Sequence, residues 1–171
     1  MISLLKIVKT PAELDYGQVM HIYGESLLRS AKTDYPYLDG NQQLIEAEQD
    51  FYLFLKSFLK QKDSLCFFWI SKGRYVSALR IEPFQDGYLI EGVETAEDFR
   101  NQGFAKCLLN AALEYMQDQG IDKIYSHIHR ANTPSMSLHL SCGFVKIKDC
   151  AAYVDGSVDH KSGTYLFVKK L

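Results

Sequence analysis

The amino-acid sequence predicts an α/β protein with a mixed central sheet of about seven strands flanked by about four helices. Two observations support this fold class. Segments with apolar residues at a helical period alternate along the chain with short runs rich in β-branched and aromatic residues. Three such runs follow one another between residues 65 and 95, separated by turn signals, which is typical of an antiparallel meander.

The composition favours one globular domain over residues 1–171. Hydrophobic residues make up 47% of the chain, and the net charge of -2 lacks the basic excess of nucleic-acid-binding proteins. No apolar run approaches the roughly 20 residues needed to span a bilayer, and the first residues lack the features of a signal peptide. The four cysteines contain no CxxC pair, so we expect free thiols in a reducing, cytoplasmic compartment.

The first third of the chain is predicted to form a strand and two helices. Residues 2–8 form the strand, and a capping-box pattern over residues 10–13, with Thr10 as the N-cap, begins a helix that ends near Ser30. A second helix begins after Asp39, which is its expected cap. Its predicted apolar stripe consists of Leu44, Ile45, Phe51, Tyr52, Leu55, Phe58 and Leu59.

The meander comes next and is followed by the most regular helix of the sequence. The three strands are predicted at residues 65–70, 74–81 and 88–95, with turns at residues 72–73 and 86–87. We expect Pro83 to end the second strand because proline cannot donate to a strand ladder. The helix that follows carries an apolar stripe of Phe104, Cys107, Leu108, Ala111, Ala112, Tyr115 and Met116, and Gly120 is its expected C-cap.

The last part of the chain is predicted to contain three strands and a short helix. The strands lie at residues 123–129, 144–154 and 164–168. Thr133 is the expected cap of the short helix, Pro134 its first residue and Gly143 its end.

The segment from Val93 to Ala105 joins a strand to a helix and carries the strongest chemical signal. Gly103 opens the helix, so several backbone N–H groups point the same way and the helix dipole adds positive potential. Such a helix start binds phosphate or pyrophosphate groups well. The alternative is that Gly103 is only a turn residue and Arg100 only a solvated side chain.

Two motifs in this part of the chain resemble those of the GNAT acetyltransferase superfamily. Residues 100–105, RNQGFA, resemble the family's R/Q-x-x-G-x-G/A signature. About thirty residues later, residues 132–144, NTPSMSLHLSCGF, resemble its N-x-x-S/A-x-x-L-Y-x-x-x-G-F segment. The order and spacing of the two motifs agree with the family, and so does the predicted order of elements over almost the whole chain.

This resemblance implies a GNAT-type fold and the use of acetyl-CoA to acetylate an amine. It implies that the pantetheine arm lies along the strand that ends near Val93, and that the pyrophosphate lies on the amides of residues 100–105. The cofactor-binding residues implied in this way are Val93, Glu94, Thr95, Arg100, Asn101, Gln102, Gly103, Phe104, Ala105, Asn132, Ser135 and His139. In many members the strands that correspond to residues 88–95 and 123–129 splay apart, and the thioester lies in the gap.

His139 departs from the family pattern, which has tyrosine at this position as the supposed acid for the leaving thiolate. An imidazolium can also donate a proton, so His139 is our candidate for the acid, with a packing role as an equal alternative. Candidates for the general base are Glu94 and His127, followed by Glu91. We expect Glu91 and Glu94 to lie on opposite faces of their strand because they are three positions apart.

Other features leave alternatives open. His127 and His129 alternate on one strand, but no zinc-binding spacing is present, and we expect no metal. The acceptor side is expected to involve Arg29, Asp34, Tyr35, Tyr37 and Asp39, all of which also suit a solvated surface. Homodimerisation through the last strands is possible, although Tyr165 and Phe167 suit a core equally well. The alternatives to the enzyme are a non-catalytic acyl-CoA-binding or sensor module and an enzyme that transfers a larger acyl group.

Overall fold

The computed structural model describes residues 3–171, which form nine strands and four α-helices. The strands are β1 (Ser3–Val8), β2 (Leu65–Ser71), β3 (Arg74–Phe84), β4 (Gly87–Thr95), β5 (Lys123–His129), β6 (Val145–Lys148), β7 (Ala151–Ala152), β8 (Val158–Asp159) and β9 (Thr164–Lys170). The helices are α1 (Tyr16–Asp34), α2 (Gly40–Phe58), α3 (Phe104–Asp118) and α4 (Thr133–Ser141). Single 3₁₀ turns lie at Pro11–Glu13 and Glu97–Phe99.

Seven of the strands form one mixed sheet in the order β1-β2-β3-β4-β5-β9-β6. Only β4 and β5 are parallel neighbours, and the other pairs are antiparallel. β7 and β8 form a separate hairpin. The predicted fold class, with about seven sheet strands and about four helices, is therefore confirmed.

Helices cover both faces of the sheet. On one face, α3 buries Leu108 and Leu109 against Leu79 of β3, and Phe144 lies in the same core. On the other face, α1 and α2 enclose a second core, which includes Ala78 of β3. Because the two faces are covered by different helices, a ligand that sits between two strands contacts different elements on each side.

The start of α1 differs from the prediction. The chain from Pro11 to Glu13 forms only one 3₁₀ turn, because Leu14 adopts an extended conformation that separates this turn from the helix. The helix begins at Tyr16, and the Asp15 side chain accepts the amide of Gln18 as its cap. The Thr10 hydroxyl instead donates to the Glu13 carboxylate at 2.8 Å.

The predicted cap of α2 is confirmed, but two apolar stripes are partly wrong. The Asp39 side chain accepts two amides at the start of α2, whereas Ile45 of the predicted stripe is exposed. In α3 the buried face is rotated, so that Cys107 is exposed while Leu109 and Leu113 are buried. These helices carry apolar residues on more than one face, and packing against the rest of the protein determines which face is buried.

Pro83 does not end β3, which continues to Phe84. The pairing with β2 ends at Ile81, so Pro83 has a neighbouring strand only on the β4 side, opposite Tyr88. A missing N–H group is tolerated there because no strand lies on the other side to accept it.

Two further predictions need correction near the end of the chain. The cap of α4 is Asn132, whose side chain accepts the amide of Ser135 at 3.1 Å, and Thr133 is the first helical residue. The predicted strand over residues 144–154 is divided, because β6 ends at Lys148 and the chain then bends into the β7–β8 hairpin.

Residues 3–171 contain neither a membrane-spanning helix nor a cluster of metal-binding side chains. No helix in that range has the length and apolar character required to cross a membrane. Within the same range, no three His, Cys, Asp or Glu side chains come together in an arrangement that could hold a metal ion. The four cysteines are free thiols.

Candidate functional site

The site begins where β4 and β5 separate. The two strands pair only from Tyr88 opposite Ile124 to Ile90 opposite Ser126, and beyond this point they diverge. A cavity of about 180 Å³ opens in the gap. β4 continues to pair with β3 as far as Thr95, so within residues 3–171 the edge of β4 that faces the gap lacks a neighbouring strand.

A bulge in β4 changes the direction of the side chains along this edge. Glu91 lies opposite Arg80, and Glu94 lies opposite Ala78, so three residue steps on β4 match two on β3. Gly92 lies within the bulge with φ of +57°. Glu91 and Glu94 therefore lie on the same face, towards α1 and α2, and the expectation that they face opposite sides is wrong because the bulge adds one residue.

The loop before α3 presents backbone amides at the entrance to the gap. Asn101 and Gly103 both have positive φ, +59° and +82°, and together they turn the chain into the helix. The first amide bonded along α3 is that of Cys107, which donates to the Gly103 carbonyl at 3.0 Å. The amides of Phe104, Ala105 and Lys106 precede it and have no helical partner, so this end of α3 can bind an anion.

The Arg100 side chain is engaged within the protein. Its Nε donates to the Thr95 carbonyl at 3.1 Å, and its guanidinium forms an ion pair with Glu25 of α1. The hydrogen-bonded ion pair raises the pKa of Arg100 and lowers that of Glu25. Arg100 thus ties the loop to α1, and the anion-binding character of the loop comes from its backbone.

A cavity of about 540 Å³ extends from this loop to the gap. It is lined by every residue that the resemblance assigns to cofactor binding except Gln102 and His139. The Gln102 side chain donates to the Asp98 carbonyl, and His139 lines the gap instead. Lining residues that the sequence analysis missed are Ser26, Phe99, Lys106, Pro134 and Leu138. Two of these had a signal in the sequence. Leu138 occupies the leucine position of the second motif, and Lys106 places a cation in the first turn, which opposes the helix dipole unless an anion binds there.

Glu94 lines both the large cavity and the gap. Burial raises the pKa of its carboxyl group above the ordinary value, and the positive charges of Arg100 and Arg29 oppose part of this shift. Glu91 lines the gap as well, with its Oε2 3.8 Å from Nη2 of Arg80. Both carboxylates can therefore reach a group that enters the gap from the side of α1 and α2.

The two histidines of β5 are partly engaged in structural contacts. Nε2 of His127 accepts the amide of Ala152 at 3.2 Å, and its ring packs edge-on against Phe84. Burial lowers the pKa of His127, so its neutral form, with the proton on Nδ1, is favoured. His129 is exposed, and its Nδ1 accepts the amide of Ala131 at 3.2 Å.

His139 lies on the opposite face of the sheet from the carboxylates, and only 1% of it is exposed. Its Nδ1 lies 2.8 Å from the Ser135 carbonyl oxygen, which can only accept, so Nδ1 carries the proton. Nε2 is buried and has no hydrogen-bond partner among residues 3–171. Burial lowers the pKa of His139, which favours the neutral imidazole with Nε2 unprotonated, and the residue lines the gap.

The residues expected on the acceptor side lie apart from one another. The Tyr35 hydroxyl donates to Asp50 of α2, Asp39 caps α2, and Tyr37 is exposed. Only Arg29 among the five expected residues lines the large cavity, whereas Asp34 and Tyr35 line a smaller cleft between α1 and α2. The structure thus does not bring the five together. In β9, Phe167 belongs to the core and Tyr165 packs against it.

The comparisons with known proteins agree with this geometry. A sequence profile of the acetyltransferase (GNAT) family matches residues 25–144. Aminoglycoside N(6')-acetyltransferase type 1 of Serratia marcescens is 34% identical over 64 residues, which cover 37% of this chain and 44% of that protein. The match thus spans less than half of the length of that curated relative.

Solved structures share the fold over nearly the whole chain. The PaiA N-acetyltransferase of Thermoplasma acidophilum in complex with coenzyme A has a TM-score of 0.69 at 15% identity, over 98% of this chain and 99% of that chain. The ribosomal-protein-S18-alanine N-acetyltransferase of Escherichia coli has a TM-score of 0.64 at 14% identity, over 99% of this chain and 94% of that chain.

Proposed function

Because this chain belongs to the GNAT family of N-acetyltransferases, we propose that it transfers the acetyl group of acetyl-CoA to an amine by direct attack in a ternary complex. The observation that carries the proposal is the gap between β4 and β5. The gap adjoins the cavity at the amide-rich start of α3, and Glu94 lines both. A donor bound along one face and an acceptor bound on the other can therefore meet between the strands.

The donor side fits acetyl-CoA by its size and chemistry. The free amides at the start of α3, with Lys106 beside them, suit a pyrophosphate, and the unpaired edge of β4 from Val93 to Thr95 suits the amides of a pantetheine arm. We assign to cofactor binding the same residues that the resemblance implies, with Arg100 holding the loop through its contacts with Glu25 and Thr95. Acetyl-CoA supplies the activated acetyl group.

On the acceptor side, we propose that Glu94 accepts a proton from the incoming ammonium group. Its carboxylate faces the gap, and its raised pKa brings it nearer to the range of an effective base. Glu91 is the second candidate because it lies on the same face. His127 is the third, since its Nε2 already accepts the Ala152 amide.

On the donor side, we propose that Nε2 of His139 takes the second proton, which the attacking nitrogen loses as the new amide forms. The same nitrogen atom then donates that proton to the leaving thiolate. His139 thus has the acid role only after it has accepted a proton, which fits a neutral imidazole with Nδ1 bonded to Ser135. The amine loses two protons in total, one to Glu94 and one, through His139, to the thiol.

The names of two relatives give examples of acetylated groups. Their names include an aminoglycoside and a protein alanine as acetylated groups, both of which present amines. We propose a cytoplasmic location for the enzyme, supported by the four free thiols, and leave a homodimer as a further proposal. A non-catalytic acyl-CoA-binding module is the alternative that the first experiment excludes or supports.

The experiment measures thermal unfolding with and without acetyl-CoA, followed by thiol release in the presence of an amine library. A ligand at 100 times its Kd stabilises a protein by about 2.7 kcal/mol. We expect this stabilisation in the wild type and in Gly73→Glu, and its loss in Gly103→Glu. Gly73 is a matched control because both glycines have positive φ and, in the part of the chain that the structure describes, no atom within 4 Å of an added Cβ. Gly73 lies in the β2–β3 turn, away from the assigned cofactor site.

Three results are informative. Stabilisation together with thiol release supports the enzyme, and stabilisation without release from any amine supports the non-catalytic module. If acetyl-CoA at millimolar concentration stabilises none of the proteins, or stabilises Gly103→Glu as much as the wild type, the assigned cofactor site is wrong.

A further inference from the structure

A charged side chain that the proposed reaction does not use is enclosed beside the gap. Arg80 of β3 has only 13% of its side chain exposed. Its guanidinium carbon lies 5.0 Å from the ring centroid of Phe54 and 5.9 Å from the centroids of Tyr23, Phe51 and Phe58. We call these four rings the aromatic box. Cation–π contacts offset part of the cost of burying the charge, but an apolar side chain would fill this space without that cost.

The polar contacts of Arg80 are sparse for a buried guanidinium. Its Nε has no hydrogen-bond partner among residues 3–171. Its Nη2 lies 3.8 Å from Oε2 of Glu91, which is long for an ion pair. A strong ion pair therefore does not explain why an arginine occupies this buried position. The position of the Arg80 guanidinium against the backbone of β4 offers another explanation.

Arg80 fills the space directly over the bulge in β4. A Cβ added to Gly92 would lie 2.5 Å from Nη1 of Arg80 and 2.8 Å from its Cζ. Gly92 also has positive φ, which favours glycine at this position, and any larger residue would displace the Arg80 guanidinium. The guanidinium thus packs against the peptide backbone at the bulge.

Tyr23 of α1 contacts the backbone of the bulge at Gly92 from the same face of the sheet as Arg80. Its hydroxyl donates to the Gly92 carbonyl at 2.7 Å, and its ring is one wall of the aromatic box. Because a peptide bond is planar and trans, fixing the carbonyl of Gly92 also fixes the amide N–H of Val93 in the opposite direction. Tyr23 lies on the face of α1 and α2, so the Val93 amide points away from that face.

We propose that Arg80 and Tyr23 are positioning residues for acetyl transfer, which together hold the Gly92 bulge and thereby aim the Val93 amide into the gap. The proposal rests on the proposed function, because an aimed amide matters when a thioester carbonyl lies beside it. Donors fixed in advance stabilise the negative charge that develops on such an oxygen. Neither residue touches the substrate in this role.

The decisive variant is Tyr23→Phe, which keeps the ring in the aromatic box and removes only the hydroxyl. Its matched control is Tyr16→Phe, because Tyr16 also lies on α1 and donates to a backbone carbonyl, that of Glu48, away from the gap. We expect kcat to fall on the order of tenfold in Tyr23→Phe, as a mis-aimed donor loses part of its effect. We expect the KM for acetyl-CoA to change less than about twofold, because the α3 amides are untouched.

Arg80 is tested with two substitutions. Arg80→Met keeps most of the volume but removes the charge, and we expect it to lower kcat at least as much as Tyr23→Phe. Arg80→Lys keeps a cation inside the aromatic box, and we expect it to recover part of kcat. If Arg80→Met does not fold, Tyr23→Phe alone decides the test.

The opposite results would overturn the proposal. A Tyr23→Phe enzyme with lower thermal stability and a kcat within twofold of both the wild type and Tyr16→Phe means that the contact is only structural. If the wild type acetylates no amine, the proposed function fails separately, and amide hydrogen exchange over residues 91–95 then tests the positioning. We expect that exchange to be on the order of tenfold faster in Tyr23→Phe than in Tyr16→Phe, and equal rates would reject the proposal.

Discussion

The imidazole of His139 donates through Nδ1 to the carbonyl of Ser135 one helical turn earlier, at 2.8 Å. This bond selects one tautomer and leaves Nε2 as the free nitrogen, buried beside the gap. A side chain held in this way is a poor initial proton donor and a suitable initial acceptor. In the reaction that we propose, histidine in place of the tyrosine therefore changes the order in which protons move, rather than simply replacing one acid by another.

The first prediction concerns turnover in His139→Gln. Glutamine retains a polar side chain but cannot carry a proton between two groups. We expect kcat to fall about a hundredfold, within the range of general acid–base effects, with little change in the KM for acetyl-CoA. The measurement is the pH profile of kcat for both proteins. Equal profiles would remove His139 from the proton path.

The second prediction concerns stability against pH. Burial holds the pKa of His139 below 6.5 in the folded protein, so the unfolded chain binds a proton on this group more readily. The contribution of His139 is therefore fully present above about pH 6.5 and is lost as the pH falls through the folded value. Urea unfolding should show that the wild type loses stability towards acid faster than His139→Gln. His127, which shifts in the same direction, is present in both proteins and cancels. A difference that does not change with pH would contradict this prediction.

The third prediction separates the candidate bases. We expect Glu94→Gln to lower kcat about a hundredfold, because an amide cannot accept the ammonium proton, and Glu91→Gln to lower it less. Glu82→Gln is the control. It removes a carboxyl on β3 whose pKa is also raised by burial but which lies outside the gap lining. If neither Glu94→Gln nor Glu91→Gln lowers kcat more than several-fold beyond the control, neither carboxylate is the base.

The fourth prediction tests which face of α3 is buried. Leu109 has no exposed surface, so Leu109→Ala should lower the free energy of unfolding by about 2–5 kcal/mol. Cys107 on the same helix is exposed, and Cys107→Ala should change the free energy of unfolding by less than about 0.5 kcal/mol. Urea denaturation of both variants measures the two values. A larger loss in Cys107→Ala than in Leu109→Ala would mean that the helix face predicted from the sequence period is the correct one.

Much of the fold followed from local signals that involve neighbouring residues. The Asp39 cap, the turn at residues 72–73 and the strand over residues 123–129 all depend on chemistry within a few positions. The second turn of the meander lies at residues 85–86, one position before the prediction, because Gly87 pairs with Phe84 and begins β4. Capping at Asp15 and Asn132, in place of Thr10 and Thr133, depends on the backbone geometry of the residues between them. Several adjacent side chains could cap each helix, and the sequence alone does not rank them.

Some parts of the site could be predicted from the sequence and others could not. The loop with Gly103 has a sequence pattern, and all of residues 100–105 except Gln102 line one cavity. The common face of Glu91 and Glu94 was not predictable, because alternation along a strand fails wherever a bulge adds a residue. The aromatic box around Arg80 combines β3 with two distant helices, and no spacing in the sequence marks it.

The incomplete pairing of β4 and β5 has a consequence for how such a protein diverges. Most of the polar groups offered to the proposed cofactor, along β4 from Val93 and at the start of α3, belong to the main chain. Mutations replace side chains and leave these groups in place as long as the backbone path survives. Substitutions at Gly92 and Gly103, which have positive φ, disturb this backbone path more than substitutions at positions of ordinary conformation. The side chains around the gap can thus change the acceptor of the proposed reaction without altering the main-chain groups that its donor would contact.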